Sequence, residues 1–389
     1  MHVKLSDSAF TPVAEEFKRA APENGAVSEL CLYQNGRQVL FAHAGDAAPE
    51  KDVQLLRSIS KAILAVLAAM AHESGELDMD APVADVWPEF AANGKHTITG
   101  RQLLSHQAGL PVFDEPVSTV DALTWHPVVD LLARQRPRWE PGTAHGYHDL
   151  TFGWLVGEWL RRGCEGPADT SIGVLVDQRL RISLELKLWI GSPIDLLSRV
   201  RPLQHDRRAP RVLMPEGAAH DLVEAALGNP DLVPLEHTME YLTAEVPAAN
   251  AVGDAVSLAR MFSALVATTD GTRLLCPGGV EKAAAVQADG PDLVVGWPRR
   301  YGSGFMLPDP NRPMGGLHTA SFGHYGQGGS LVFAHADSAF AFGYTTSQDR
   351  SFLGADPRTK TLAAVALECA AGCPLEIPET ARYAGLRRK

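Results

Sequence analysis

The ten residues from Leu55 to Leu64 read LLRSISKAIL and stand at the head of an apolar, alanine-rich run. Apolar side chains recur at helical spacing from there to Ser74, where a glycine interrupts the pattern. The spacing therefore predicts a buried helix from about Ser58 to Ser74. Ser58 and Lys61 are three residues apart, so they lie on one face of the first turn of this helix.

This serine–lysine pair has two interpretations. In the functional one, the Lys61 amine takes the proton of the Ser58 hydroxyl, and the free N–H groups at the helix start stabilise the oxyanion of an acyl group on that serine. In the structural one, Ser58 caps the helix and Lys61 is a solvated residue of the first turn. Short patterns of this kind arise by chance in any chain of 389 residues, so the pair alone favours the structural interpretation.

Length and composition limit the classes of protein that fit. The chain has 389 residues, which predicts two lobes or two domains, and its 45% of hydrophobic and 21% of charged residues are typical of a globular protein. A net charge of −11 argues against nucleic acid or an anionic membrane as a partner. The N-terminus does not resemble an export signal, and the longest apolar run, residues 62–71, is about half of what a bilayer span needs. We therefore expect a cytoplasmic protein with reduced cysteines.

Strand patterns stand at both ends of the chain. Residues 27–45 hold two β-rich runs around Asn35-Gly36, and such a pair is the strongest short signal for a hairpin. Residues 330–347 hold two further alternating runs, followed by a helical pattern at 358–372. The two ends of the chain are therefore expected to assemble into one lobe that contains a sheet.

Helical patterns dominate the middle of the chain, for example at 151–163 and at 254–268, where Asp254 is a suitable cap. The predicted fold class is α/β, with a mainly helical lobe inserted into a lobe of sheet and helices. The expected bounds are residues 1–75 and 285–389 for the α/β lobe and 76–284 for the helical lobe.

Two stretches further along the chain support the functional interpretation of Ser58. Residues 139–162 place Tyr147 between a Pro-Gly turn and a helix, where the phenol can act as a second base if a nearby cation favours its phenolate. Residues 321–335 read SFGHYGQGGSLVFAH, a glycine-rich turn that leads into a strand. Glycines let a backbone come close to a ligand, and a strand N–H there can complete an oxyanion hole.

In this order, the three stretches resemble the motifs of the serine β-lactamase-like superfamily, which includes class C β-lactamases, D-alanyl-D-alanine peptidases and family VIII carboxylesterases. Ser58 and Lys61 match its S-x-x-K motif. Tyr147 matches the tyrosine of Y-x-N, and residues 324–326 match the K-T-G position. The resemblance runs from about residue 25 to 350 and is strongest to the esterase-type branch. It implies a β-lactamase/transpeptidase-like fold, an antiparallel sheet flanked by helices, with the site at the interface of the two lobes.

The resemblance also implies roles for the matching residues. Ser58 would be the nucleophile, and Lys61 and Tyr147 would share the work of general base in forming and resolving an acyl-enzyme. The backbone N–H groups of Ser58 and Gln327 would form the oxyanion hole. No cofactor is implied.

Further residues are expected to bind the substrate: His324, Tyr325, Gly326, Asp149 and Asn250. His324 contacts the substrate or orients Tyr147, or it only holds its glycine-rich turn in shape. Asp149 stands where the family has asparagine. It either reaches Lys61 and favours the charged amine, which would move the base role to Tyr147, or turns outward as a helix cap. Asn250 belongs to a loop that approaches the pocket in the family.

Two pairs that contain histidine give only weak indications of a metal site or of a second catalytic site. His145 and His148 have a spacing that could suggest metal, but neither a third ligand nor a base accompanies them as in H-E-x-x-H, so no metal is expected. Ser105 and His106 are interpreted as a structural corner rather than as a second Ser-His catalytic pair.

Three reactions fit such a site. The predicted one is hydrolysis of a small-molecule ester, in which water resolves the acyl-enzyme. The first alternative is an acyltransferase of specialised metabolism, which passes the same acyl group to an amine or alcohol. A β-lactamase or D-Ala-D-Ala peptidase fits less well, because an export signal is missing and His324 replaces the lysine that would pair with a substrate carboxylate. An inactive binding protein is disfavoured, since all three primary residues are retained. The oligomeric state stays open.

Overall fold

The structure is a computed structural model that describes residues 1–22, 25–46, 52–166, 170–205, 220–350 and 355–372. Its strands are β1 His2–Leu5, β2 Ser28–Gln34, β3 Arg37–Ala44, β4 Val53–Leu55, β5 Leu188–Trp189, β6 Val200–Arg201, β7 Gln204–His205, β8 Val252–Gly253, β9 Ala288–Pro291, β10 Pro298–Tyr301, β11 Ser321–Tyr325, β12 Leu331–His335, β13 Phe340–Thr346 and β14 Gln348–Asp349. Its α-helices are α1 Thr11–Arg19, α2 Ser60–Ser74, α3 Gly100–Leu104, α4 Thr119–Ala122, α5 His126–Arg134, α6 Thr151–Gly163, α7 Ile172–Val176, α8 His220–Gly228, α9 Met239–Thr243, α10 Ala255–Val266, α11 Pro277–Ala284 and α12 Pro357–Ala371.

Both ends of the chain contribute to one antiparallel sheet, with the strand order β1-β3-β2-β13-β12-β11. Asn35 and Gly36 join β2 to β3 with φ angles of 51° and 76°. These are the left-handed conformations that a type I′ turn requires, so the predicted hairpin is confirmed. β13 pairs with β2 and thereby connects the N-terminal hairpin to the C-terminal strands.

Helices cover both faces of this sheet. Leu30 and Leu32 of β2 pack on the side of α1 and α12, whereas Cys31 and Tyr33 pack on the side of α10. This alternation follows from the two-residue period of a strand. Because both faces are covered, β2 is buried over almost its whole length.

The helix predicted at 254–268 packs against the sheet. α10 packs against β2, β12 and β13, and Asp254 caps it by accepting a hydrogen bond of 2.7 Å from the Ser257 N–H. The lobe bounds expected at residues 75 and 285 stay a prediction. Helical periodicity shows that one face of a helix is buried, but not which partner buries it, so the sequence did not indicate this packing of α10 on the sheet.

α2 is almost completely buried and packs against α6 and β11. It ends as predicted at Gly75, which caps the helix with a φ of 81°. Its beginning differs from the prediction, because residues Arg57–Ile59 form a tighter 3-10 turn and the α-helix starts at Ser60. Ser58 thus lies on a short turn held in place by a rigid, buried helix.

Glu29 is a buried carboxyl group on β2 that should make stability depend on pH. Burial, and then the charge of Asp254, raises its pKa from 4.5 to about 8. Because the folded chain keeps this proton while the unfolded chain releases it, stability falls as the pH rises from about 4.5 to about 8. Glu29→Gln should therefore raise the melting temperature most at and above about pH 8 and flatten the decline below it.

Thermal unfolding of both proteins across this pH range measures the effect. Glu15→Gln, which alters an exposed carboxylate on α1, is the control and should leave the curve unchanged. Parallel curves for the wild type and Glu29→Gln would contradict the prediction.

Candidate active site

Lys61 is fixed against Ser58. Its Nζ lies 3.2 Å from Ser58 Oγ, 3.0 Å from the carbonyl oxygen of Ala248 and 3.4 Å from Asp149 Oδ1. The lysine side chain is completely buried. Three oxygen acceptors match the three N–H groups of an ammonium, so the amine has one defined position beside the hydroxyl. Of the two roles expected for Asp149, the structure shows the contact with Lys61.

Tyr147 lies next to this pair and lines the same cleft as Ser58. Lys61 Nζ is 4.8 Å from the centroid of its ring, and the Arg312 Cζ is 6.0 Å from the same centroid. Two positive charges around one phenol stabilise the negative charge that develops on its oxygen during proton transfer. The arrangement brings Tyr147 beside Lys61 and Ser58, which is compatible with the base role expected for it. No sequence pattern pointed to Arg312.

Three buried imidazoles surround Tyr147 and the loop that carries it. Burial lowers the pKa of His148 to about 3 and the pKa of His106 and His324 well below 6.5. For His324, the positive charge of Lys61 adds to the effect of burial. All three rings are therefore neutral near pH 7, and none of them supplies a proton donor that titrates there.

His324 packs behind Tyr147, with 6.3 Å between their ring centroids. Its Nδ1 donates a hydrogen bond of 2.7 Å to the carbonyl oxygen of Tyr325, and only 1% of the residue is exposed. Among the described residues it is not part of the wall of the cleft. The geometry thus indicates that His324 holds the turn in shape and supports Tyr147. It does not favour the direct contact with the substrate that was expected for His324.

His148 uses both of its ring nitrogens inside the fold. Nδ1 donates to the carbonyl oxygen of Gly146 over 2.9 Å, and Nε2 accepts from the Leu110 N–H over 2.7 Å. It consequently offers no lone pair to a metal ion.

The glycine-rich turn forms the opposite side of the cleft, and Tyr325, Gly326 and Gln327 line it. A Cβ atom on Gly326 would lie 2.7 Å from the carbonyl oxygen of Leu56, which is too close for any other residue. Glycine therefore lets the turn rest on the backbone that precedes Ser58. As a result, Gln327 lies on the same cleft as Ser58, and the family resemblance implies that the N–H groups of these two residues form an oxyanion hole.

The cleft is narrow, with a cavity volume of about 60 Å³. Its polar side carries Ser58 and Tyr147. Its apolar side is formed by α8 and a loop before β10, through Val223, Ala226, Leu227, Val294 and Val295. A wider groove of about 650 Å³ beside α11 contains none of the predicted site residues.

Asp292 connects Tyr147 to this apolar wall through hydrogen bonds. Its Oδ1 accepts hydrogen bonds from the N–H groups of Tyr147, Val294 and Val295 at 2.9 to 3.1 Å. Its Oδ2 accepts one of 3.0 Å from the Tyr301 hydroxyl. Only 2% of the residue is exposed. No sequence pattern pointed to Asp292 as part of the site. An aspartate that accepts a hydrogen bond from the N–H two residues further on is a recognisable local pattern, but the bond to Tyr147 spans 145 residues.

Asp292→Asn is expected to lower the free energy of unfolding by about 1–3 kcal/mol, because an NH₂ group replaces one charged acceptor oxygen. It should also lower kcat, since the backbone of Tyr147 loses a fixed partner. Urea unfolding and ester kinetics measure the two effects. Asp289→Asn is the matched control, because that exposed carboxylate on β9 pairs only with Arg300 among the described residues. Equal behaviour of the two variants would contradict the prediction.

Asn250 has a structural role in place of the substrate contact expected for it. The side chain is completely buried. Its amide accepts from the Val246 N–H and donates to the carbonyl oxygens of Tyr241 and Ala244 at 2.7 to 3.0 Å. These bonds shape the loop that directs the carbonyl oxygen of Ala248 at Lys61. Asn250 therefore acts on the site through its loop.

One group of potential metal ligands occurs among the described residues, with His72, Asp78 and Asp80 contributing atoms within 4.8 Å of one another. It lies at the far end of α2 from Ser58. Arg101 already pairs with Asp80 through contacts of 2.6 and 2.8 Å, which accounts for that carboxylate. Within the described ranges, every helix is too short or too polar to cross a bilayer.

Comparison with known proteins agrees with this geometry. The sequence model of the beta-lactamase family matches residues 18–366. A curated relative, Esterase/beta-lactamase LipL of Mycobacterium tuberculosis, is 29% identical over 362 residues, covering 80% of this chain and 75% of the relative.

Solved structures share the fold over nearly the whole chain. A family VIII carboxylesterase superposes with a TM-score of 0.85 at 29% identity, covering 95% of this chain and 100% of that one. A penicillin-binding protein homolog from Caulobacter crescentus superposes with a TM-score of 0.84 at 31% identity, with the same coverage. The β-lactamase/transpeptidase-like fold predicted from the sequence is confirmed.

Proposed function

The chain belongs to the beta-lactamase family, and we propose that it is a serine carboxylesterase that cleaves small-molecule esters through an acyl-enzyme on Ser58. The observation that carries the proposal is the 3.2 Å contact between Lys61 Nζ and Ser58 Oγ, in a cleft that Tyr147 also lines. A serine that only caps a helix does not require a completely buried lysine at its hydroxyl.

Acylation follows from this geometry. Ser58 Oγ attacks the ester carbonyl carbon while its proton passes to the Lys61–Tyr147 pair. The carbonyl oxygen becomes an oxyanion, which the N–H groups of Ser58 and Gln327 stabilise. When the tetrahedral intermediate collapses, the bond to the alcohol breaks and the alcohol leaves with the proton held by the pair.

Deacylation repeats these steps with water as the nucleophile. The pair takes a proton from water, the hydroxide attacks the acyl carbon, and the bond to Ser58 Oγ breaks as the proton returns to it. An amine or alcohol in place of water would give acyl transfer, so the two reactions differ only in the molecule that meets the acyl-enzyme.

Esters are favoured over β-lactams and peptides by the residue at position 324. The lysine of K-T-G could pair with a substrate carboxylate, whereas His324 is neutral and buried. The names of two relatives, an esterase/beta-lactamase and a family VIII carboxylesterase, support the same choice.

The test is to trap the intermediate. The full chain is mixed with a short-chain p-nitrophenyl ester, quenched in acid and analysed by intact mass spectrometry and peptide mapping. The expected result is one acyl group on the peptide that contains Ser58, together with steady release of p-nitrophenol. An acyl group on another residue, or turnover of a chromogenic cephalosporin alone, would overturn the proposal. Added amines or alcohols that convert the product from acid to amide or ester would assign the protein to acyl transfer instead.

A further inference from the structure

The residue before the nucleophile has an unusual backbone conformation. Arg57 has a φ of 48°, in the left-handed region that residues other than glycine rarely occupy. Such conformations persist only where surrounding structure enforces them. Because the peptide bond after Arg57 contains the N–H of Ser58, its conformation sets the direction of one proposed oxyanion-hole donor.

Two carboxylates hold the side chain of Arg57. Arg57 Nε and Nη2 donate to the two oxygens of Glu236 over 2.9 and 2.8 Å, a bidentate pair. Nη2 also lies 3.2 Å from Asp349 Oδ2. All three side chains are at most 11% exposed. A bidentate pair between buried partners fixes the orientation of a guanidinium as well as its position.

The same guanidinium lies beneath the turn that carries the second proposed donor. A Cβ atom on Gly328 would stand 3.6 Å from Arg57 Nη1 and 3.1 Å from Asp349 Oδ1. Gly328 directly follows Gln327. Nη1 is buried, and among the described residues it has no hydrogen-bond partner. Arg57 therefore lies beside both halves of the proposed oxyanion hole: its backbone leads into Ser58, and its side chain lies next to Gly328, the residue that follows Gln327.

We propose that Arg57, held by Glu236 and Asp349, is a positioning residue that aligns the Ser58 and Gln327 N–H groups for the oxyanion. The inference rests on the proposed function, since it assumes that Ser58 is the nucleophile. Arg57 touches no reacting atom and acts only through the two backbone segments. A residue that merely stabilised the fold would change the melting temperature without a specific effect on the reaction at Ser58.

A small alkyl fluorophosphonate gives a readout that does not depend on the natural substrate. Ser58 Oγ forms a bond to phosphorus, the P–F bond breaks, and fluoride leaves while the serine proton passes to the Lys61–Tyr147 pair. The phosphoryl oxygen occupies the oxyanion hole in the product. The labelling rate, followed by intact mass spectrometry, therefore reports how well the hole is aligned.

The decisive variants are Arg57→Ala and Arg57→Gly. Both remove the ion pairs, but glycine adopts a positive φ freely and alanine does not. We expect labelling to slow by about 10- to 100-fold in Arg57→Ala and by less in Arg57→Gly, because a misalignment of about 1 Å can lower rates to this extent. With p-nitrophenyl esters, kcat should fall while KM changes little.

Glu236→Gln tests the network without changing Arg57, so it remains informative if the Arg57 variants do not fold. We expect about tenfold slower labelling. Glu76→Gln is the matched control, because Glu76 accepts an equivalent bidentate pair from Arg179 far from the site, and its labelling rate should be unchanged. If Arg57→Gly and Glu236→Gln were labelled at the wild-type rate while their melting temperatures fell, the inference about Arg57 would be overturned and the proposed function would stand. Failure of the wild type to label at Ser58 would overturn the proposed function, and the inference with it.

Discussion

Ser58→Ala is expected to lower kcat/KM for a p-nitrophenyl ester by about 10⁴-fold or more, because no acyl-enzyme can form without the hydroxyl oxygen. The residual rate would come from binding and from the oxyanion hole alone. Ser58 is partly exposed and its Oγ accepts a bond from Lys61. The loss of activity should therefore occur in a protein that still folds, which thermal unfolding checks.

Ser105→Ala is the control for this experiment, since Ser105 and His106 are interpreted as a structural corner and not as a catalytic pair. Ser105 Oγ donates to the carbonyl oxygen of Arg101 and accepts from the Gln107 amide, both at 2.7 Å, so its hydroxyl is used within the fold. Removing the Ser105 hydroxyl should therefore lower the melting temperature more than it lowers kcat/KM. A Ser58→Ala protein with more than about a tenth of wild-type activity would rule out the mechanism.

Features of the fold that depend on neighbouring residues were predictable. The hairpin at Asn35-Gly36 follows from the positive φ angles that this pair tolerates. The contact between Ser58 and Lys61 follows from helical spacing and from the buried run that holds the helix in place. In each case the information lies within a few residues of the feature itself.

Features that depend on distant partners were not predictable from one sequence. The hydrogen bond from Tyr147 to Asp292 and the carbonyl oxygen that Ala248 directs at Lys61 join segments that are 145 and 187 residues apart. Asn250 illustrates the limit, because family resemblance places its loop near the pocket but does not show that its amide is used within that loop. The same limit applies to α10, because its periodicity predicts a helix but not that the helix packs against β2, β12 and β13.

Tyr147→Phe is the second substitution expected to have a large effect, a loss of about 10²- to 10⁴-fold in kcat/KM, the usual contribution of a general base. The variant keeps the ring between Lys61 and Arg312 and removes only the oxygen that receives the proton. Among the described residues, the Tyr147 hydroxyl makes no hydrogen bond within the fold, so stability should change little.

Tyr301→Phe is the matched control, because Tyr301 stacks on Tyr147 at 6.5 Å but donates its hydroxyl proton to Asp292. It should lower the melting temperature and change kcat/KM by less than about tenfold.

The pH profile of kcat/KM completes the test. Since burial holds the pKa of His148 at about 3 and that of His106 and His324 well below 6.5, an acidic limb near neutral pH must belong to another group. A Tyr147→Phe protein within tenfold of wild-type activity would make Lys61 the base.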